Sequence, residues 1–383
     1  MEIAVVISVA FITRALPHYR VEFHNRVREL LADHGVRYQL YYSGNASSEQ
    51  AKGDEAVPDW AVRLPARYFG DTEHSLLWQD VKGAVRGAAL VVLGQHNKHI
   101  HNYPLILKSR LLGKPRVAFF GHGRGFQAEN PRGLGERFKR FWASKVDWWF
   151  AYTPEGARAV GDAGFPPERI TVFNNAIDTS DISRTLAEIS DEDVAALRAS
   201  LVGGSEHVGV YVGGIYAHKR IGFLIEAARR IRARVPDFHL LVIGGGPDAH
   251  LVQAATAEHD WIHALGPRFG RDKSLHVKLA RAFLMPGLVG LAVLDAFAYG
   301  TPMVTTDLPY HSPEFEYLRD GENGLVVAEA DSADAYAAAV TRVLTDDDLR
   351  ARLAAAGAAD ARVYTIENMA ERFAQGVLMA LRQ

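Results

Sequence analysis

The chain has no cysteine in its 383 residues, which excludes a disulfide framework and any cysteine-based metal or redox site. A cytoplasmic protein fits that absence. No excess of charge of one sign is present either: the formal net charge is -2, so nucleic acid is not an expected partner. No run reaches the roughly 18 apolar residues of a membrane-spanning helix. The opening MEIAVVISVAFITRAL lacks the basic n-region of a signal peptide. Its apolar run is broken by Arg14 and reads as a buried strand. Short-period repeats and low-complexity tracts are missing too.

What is present is ordinary for a globular protein, with 48% hydrophobic and 23% charged residues. The length exceeds what one core usually organises, so two domains are expected. β-Branched and apolar runs at Ile3–Val9, Tyr38–Tyr42, Ala89–Leu93, Val117–Phe120, Trp148–Tyr152 and Ile170–Phe173 read as buried parallel strands. Val21–His34 has helical spacing between the first two. A second series starts after residue 205. It has strands at Val208–Val212, Leu240–Ile243, Trp261–Leu265, Ala282–Met285 and Met303–Thr305, and a helix at Gly222–Arg234. Alternating β and α elements imply parallel sheets flanked by helices, here twice. The expected layout is a first Rossmann-like domain over 1–177 and a polar connection over 178–206. A second Rossmann-like domain over 207–363 and a final amphipathic helix over 364–383 complete it.

In open parallel sheets ligands bind beyond the carboxyl ends of the strands, so the strand-to-helix turns carry the functional signal. In Met285–Pro302 a strand runs into Pro286-Gly287-Leu288-Val289-Gly290-Leu291, and a helix is expected from about Val289. Free amides and the helix dipole at such a start favour an anion, and Gly290 leaves the backbone open to one. Asp295, about one and a half turns on, is placed to accept hydrogen bonds from ribose hydroxyls. A second turn, Gly213-Gly214 to Lys219-Arg220, brings cations suited to a diphosphate. A third, Gly121-His122-Gly123-Arg124-Gly125, leaves His122 accessible just past a strand. Gln95, Lys98 and Asn102 form a polar cluster after another strand. Its histidines are not spaced as a metal site.

These residues resemble the GT-B glycosyltransferases, most closely the retaining family 4. Val172–Asp178 is similar to that family's V-x-x-N-G-I-D segment, Val212–Lys219 to its V-G-R-L-x-x-x-K turn, and Gly321–Val327 to its D-G-x-N-G-x-x-V stretch. Gly287–Asp295 stands at its E-x7-E motif. The resemblance implies a GT-B fold and a nucleotide-diphosphate-sugar co-substrate (UDP-, GDP- or TDP-sugar), with no bound cofactor and no metal. Gly213, Gly214, Lys219, Arg220 and the Leu288-Val289-Gly290-Leu291 loop would face the diphosphate and sugar. Asp295 would take the ribose, and Gly266-Pro267-Arg268 would lie against the base. His122 and Lys219 would act at the reacting centre, and the first domain would hold a glycan, lipid-linked or small-molecule acceptor. The final helix would cross back to the first domain.

The departures are specific. Gly287 replaces the first motif Glu, Asp295 shortens the second, Gly214 replaces the motif Arg and Ala176 the Gly of N-G-I-D. Arg220 and Arg124 are candidate replacements on the phosphate, and Ser312, Glu314 or Glu316 on the sugar. The sequence fits a subgroup with a degenerate motif and altered donor recognition. The alternatives are an inactive nucleotide-sugar-binding partner subunit and a GT-B sugar epimerase. Leu134–Trp149 sets Arg137, Lys139, Arg140 and Lys145 against Leu134, Phe138, Phe141 and Trp142. Such a basic amphipathic helix suits either ordinary packing with a solvated basic face or peripheral contact with the inner face of a membrane.

Overall fold

The structure, a computed structural model, describes residues 7–44, 56–70, 75–123 and 134–383. The chain divides into two units, residues 1–177 with 366–383, and residues 178–365.

In chain order the first unit contains β1 Ile7–Ile12, α1 Val21–Ala32, β2 Val36–Tyr42, β3 Val62–Arg63, β4 Ala66–Phe69, β5 Leu76–Gln79 and α2 Lys82–Val85. It continues with β6 Leu90–Gly94, α3 Asn102–Leu112, β7 Arg116–Gly121, α4 Leu134–Ala143, β8 Trp148–Ala151, α5 Pro154–Asp162 and β9 Ile170–Val172. The second unit has α6 Ser180–Glu188, α7 Asp191–Val202, β10 Val208–Val212, α8 Ile221–Arg234, β11 His239–Ile243, α9 Ala249–Glu258 and β12 Ile262–Gly266. Then come α10 Gly270–Lys278, β13 Ala282–Met285, α11 Ala292–Tyr299, β14 Met303–Thr306, β15 Gly324–Val327, α12 Ala333–Thr345 and α13 Asp347–Ala361. The last helix, α14 Ile366–Arg382, belongs to the first unit.

Each unit is a parallel sheet. The first runs β3-β2-β1-β6-β7-β8-β9 and the second β12-β11-β10-β13-β14-β15, with a separate antiparallel β4-β5 ribbon in the first. Strand order reverses between β1 and β6, and again between β10 and β13. Those two switch points are where such sheets offer a crevice.

The sheets are apolar on both faces because helices cover both. Consecutive Trp148 and Trp149 on β8 are both buried. They point to opposite faces, as period-two geometry requires. Each indole N–H still finds an acceptor, Trp148 Nε1 at Thr171 Oγ1 (2.9 Å) and Trp149 Nε1 at the Ala143 carbonyl (3.0 Å). On one face α14 sets Phe373 among Phe23, Phe150 and Phe11, with ring centroids 5.3, 4.3 and 6.1 Å away. Burying one such ring contributes about 1.5–3 kcal/mol.

Two boundaries differ from the sequence reading. The first strand extends to Ile12, because Phe11 and Ile12 are core residues, rather than ending at Val9. The polar segment 178–206, read as the connection between domains with a short helix candidate at Asp191–Leu201, folds as α6 and α7 of the second unit. Ser190 begins α7 with a capping box, its side chain accepting from the Asp193 amide.

Candidate functional site

The second unit's switch point is built from glycine-mediated backbone packing. Beyond β10, Gly213 and Ile215 hydrogen-bond to Ile243 and Gly245 after β11, at 3.0 and 2.8 Å. A Cβ on Gly244 would stand 1.9 Å from the Gly213 carbonyl oxygen, so the two turns can approach only through glycine. Tyr211 is buried and donates its hydroxyl to the Gly214 carbonyl at 2.6 Å.

The turn then delivers Lys219, which is 7% exposed. Its Nζ donates to the Leu288 carbonyl at 2.5 Å and lies 3.9 Å from Met285 Sδ. No carboxylate pairs with it among the described residues. Burial pulls its pKa down to about 8. A buried ammonium held by one carbonyl, a thioether and the face of the Tyr216 ring at 5.7 Å is under-compensated, which is a physical reason for an anion beside it.

The loop after β13 lies against that turn. The Leu288 amide donates to the His218 carbonyl at 2.8 Å, and the Val289 amide to His311 Nδ1 at 2.9 Å. Ser312 N donates to the Val289 carbonyl at 2.9 Å. His311 Nε2 in turn donates to the Thr306 carbonyl at 2.7 Å. This fixes the neutral tautomer with a bare Nδ1. Burial lowers its pKa, against the hydrogen bond to Thr306 and the charge of Asp307, with Lys219 adding to the lowering. Phe315 stacks on the ring at 4.0 Å. These anchors keep the loop non-helical, so the helix begins at Ala292 and not at Val289. The expectation that Leu288 and Val289 offer free amides is thereby corrected, since both are taken. The Gly290 and Leu291 amides remain without an acceptor among the described residues, at the start of α11.

Asp295 sits in the first turn of α11, its side chain 20% exposed, with Lys273 Nζ 3.8 Å away. Burial raises its carboxyl pKa and Lys273 opposes this. Arg220, expected on the phosphate, is engaged within its own unit. Its guanidinium donates to the Ala330 carbonyl and Asp331 Oδ1, both at 2.7 Å, and lies 4.2 Å over the Phe223 ring. Arg268 braces its own turn, donating to the Leu265 carbonyl at 2.9 Å and to Asp272 at 2.7 Å. Gly266 is left-handed at φ 68 and accepts from the Gly244 amide at 3.0 Å. Pro267 lies over Gly245.

In the first unit the polar groups lie beyond β5, β6 and β7. His122 is exposed just past β7, its ring 4.5 Å edge-on from Tyr152. Arg124 lies outside the described residues. Gln95 is buried, with Nε2 3.5 Å from the Gly123 carbonyl. Lys98 is exposed, and its carbonyl accepts from Leu77. Asn102 is buried; it donates to the Gly94 carbonyl at 3.1 Å, while its Oδ1 has no partner. The sequence reading missed Gln79. This side chain is wholly buried, donating to the Thr13 carbonyl and Ser43 Oγ, with Oε1 unpartnered. It also missed His311 and Lys273. Among the described residues no three His, Asp or Glu side chains are grouped to hold a metal ion.

Residues 206–346 match the family described as Glycosyl transferases group 1. The match lies within the second unit. Relatives of the group 1 domain include a phosphatidyl-myo-inositol mannosyltransferase of Mycobacterium leprae (strain TN), 33% identical over 150 residues, 38% of this chain and 39% of that protein. The lipopolysaccharide core biosynthesis glycosyltransferase LpsE of Rhizobium meliloti (strain 1021) is 30% identical over 220 residues, 54% of this chain and 56% of that protein. The matches thus span about two-fifths to just over half the length of these relatives. Similarity of fold extends further. Anabaena Alr3699/HepE, solved in complex with UDP, superposes with a TM-score of 0.69 at 13% identity, covering 97% of this chain and 100% of that one. Both units therefore have the Rossmann-like, GT-B type of architecture.

Against the group 1 pattern, Gly287 has a steric explanation. A Cβ there would lie 2.4 Å from the His218 carbonyl oxygen and 2.5 Å from Lys219 Cα. The loop backbone fills the space that a side chain would need. The missing glutamate is thus coupled to the close approach that buries Lys219.

Proposed function

We propose that this chain is a glycosyltransferase that moves a sugar, a hexosyl group in chemical class, from a nucleotide-diphosphate donor to a hydroxyl acceptor. The observation that carries the reading is Lys219, a buried cation that has no carboxylate partner among the described residues, bonded to the loop whose Gly290 and Leu291 amides meet no acceptor among them. In the reaction the anomeric carbon–oxygen bond to the diphosphate breaks and a bond to the acceptor oxygen forms. Charge grows on the departing diphosphate, which preorganised N–H groups and an ammonium stabilise most effectively where water is scarce. Asp295 takes the ribose and the Gly266-Pro267-Arg268 turn lies against the base. On the acceptor side stand His122, Gln95, Lys98 and Asn102. Retention follows from attack on the face that the diphosphate leaves, with that diphosphate receiving the acceptor proton.

The test is a thermal-shift panel of UDP-, GDP- and TDP-sugars, with diphosphate release measured in parallel. One nucleotide class is expected to stabilise the protein, and Lys219→Ala to abolish the shift. Stabilisation without release or transfer to any acceptor would instead support a binding subunit. No stabilisation by any of them would sink the reading.

A further inference from the structure

α3 is apolar on two opposite sides. Leu105 and Ile106 face the core at 5% and 0% exposure, while Leu107, Leu111 and Leu112 stand out at 53%, 75% and 66%. A helix with leucines all round is normally buried on all sides, and this one is not. α4 lies beside it: Tyr103 touches Phe138 and Trp142 with ring centroids 5.1 and 4.9 Å apart. Arg110 ties α3 to the end of α4 through the Lys145 carbonyl at 2.7 Å. α4 adds Phe138 and Phe141, 46% and 56% exposed. Leu107 and Leu111, one turn apart on the side of α3 away from Leu105 and Ile106, and Phe138 and Phe141 on α4 thus leave four large apolar side chains exposed on two neighbouring helices of the first unit, a feature that marks an interaction site.

The described charged side chains around that surface are cations, and α4 also carries one acidic residue, Glu136. Lys108, Arg110, Lys114 and Arg137 are exposed, and Lys145 Nζ sits 5.1 Å over the Phe141 ring. No acidic residue occurs between Asp80 and Glu129. Asp147, beside α4, turns its carboxylate inward to the Val117 amide (2.8 Å) and the Ser109 hydroxyl (3.2 Å). Leucine and phenylalanine tips ringed by lysine and arginine match the boundary between acyl chains and anionic headgroups. A second copy of the chain would bring the same cations against each other.

We infer that the α3–α4 surface docks the first unit onto an anionic bilayer; among the described residues no helix is long and apolar enough to cross one. Combined with the donor reading above, on which this last step rests, a docked first unit would take acceptors carried on a lipid.

The test is co-sedimentation of the full chain with phosphatidylglycerol–phosphatidylcholine vesicles and with pure phosphatidylcholine. Binding to the anionic vesicles only is expected, weakened tenfold or more by Leu107→Ser/Leu111→Ser and by raised salt. Both leucines are exposed, so the variant should keep the wild-type Tm. It should also keep the nucleotide thermal shift, which separates failure of docking from failure of the donor reading. Equal binding by wild type and variant, or no binding to anionic vesicles, would overturn the inference. So would concentration-dependent self-association that the same variant removes, since the surface would then belong to a second copy.

Discussion

The two switch points share a topology and differ in chemistry. In the second unit, glycines bring three loops into backbone contact around a lysine without a counter-ion. In the first unit the buried polar groups near the corresponding crevice, Gln79, His99, His101 and Asn102, are uncharged, with the cations Arg14 and Lys98 nearby. Gln79 and Asn102 each keep one unpartnered buried oxygen, and burial holds His101 down to about 4 and His99 well below its usual range. Neutral donors and acceptors suit hydroxyl-rich ligands, whereas an under-compensated ammonium suits an anion. The two units thus share an architecture and differ in the chemistry that their loops present.

The comparison can be tested by disturbing one unit at a time. The largest effect is expected from Phe373→Ala on α14. Losing a buried ring should cost about 3–5 kcal/mol, read by denaturant unfolding. The nucleotide-dependent shift should survive in conditions where the protein remains folded, because Phe373 packs only in the first unit. Loss of that shift in folded protein would break the separation of roles.

Next is Gly287→Glu, which restores the family's residue. Forced overpacking costs about 1–3 kcal/mol, so a lower Tm and weaker donor binding are expected. A gain in turnover would show that the loop has room after all. Lys219→Ala should weaken nucleotide binding by a charged hydrogen bond, about 1.5–3 kcal/mol, measurable by calorimetry.

The lysine also sets a pH dependence. Its folded pKa of about 8 lies below the unfolded value of about 10.4. The unfolded chain therefore binds more protons between those values, and unliganded stability rises with pH across that window. Diphosphate binding runs the other way and weakens above about pH 8 as the ammonium is lost. Lys219→Arg should flatten both trends, because arginine keeps its proton. The smallest effect is expected from His311→Ala, which frees the Val289 amide. A loss of about 1 kcal/mol should appear chiefly in donor KM, with His311→Asn recovering part of it.

Much of the fold was legible because buried parallel strands announce themselves as apolar runs. Val208–Val212 and Ala282–Met285 occur as read. The start of α11 was less legible. Val289 continues an apolar helical pattern, yet its amide donates to His311, 22 residues away in sequence, and the helix starts later. Arg220 shows the same limit: a cation after a glycine turn looks free until Asp331 is folded beside it.

The sequence by itself determined the repeated β/α pattern, the glycine-bearing turns and the supply of cations, because those depend on local periodicity and backbone freedom. Only the tertiary structure decided which cation lacks a counter-ion, which amides remain open and why position 287 has no side chain. Each of these depends on what a distant segment places within a few ångströms.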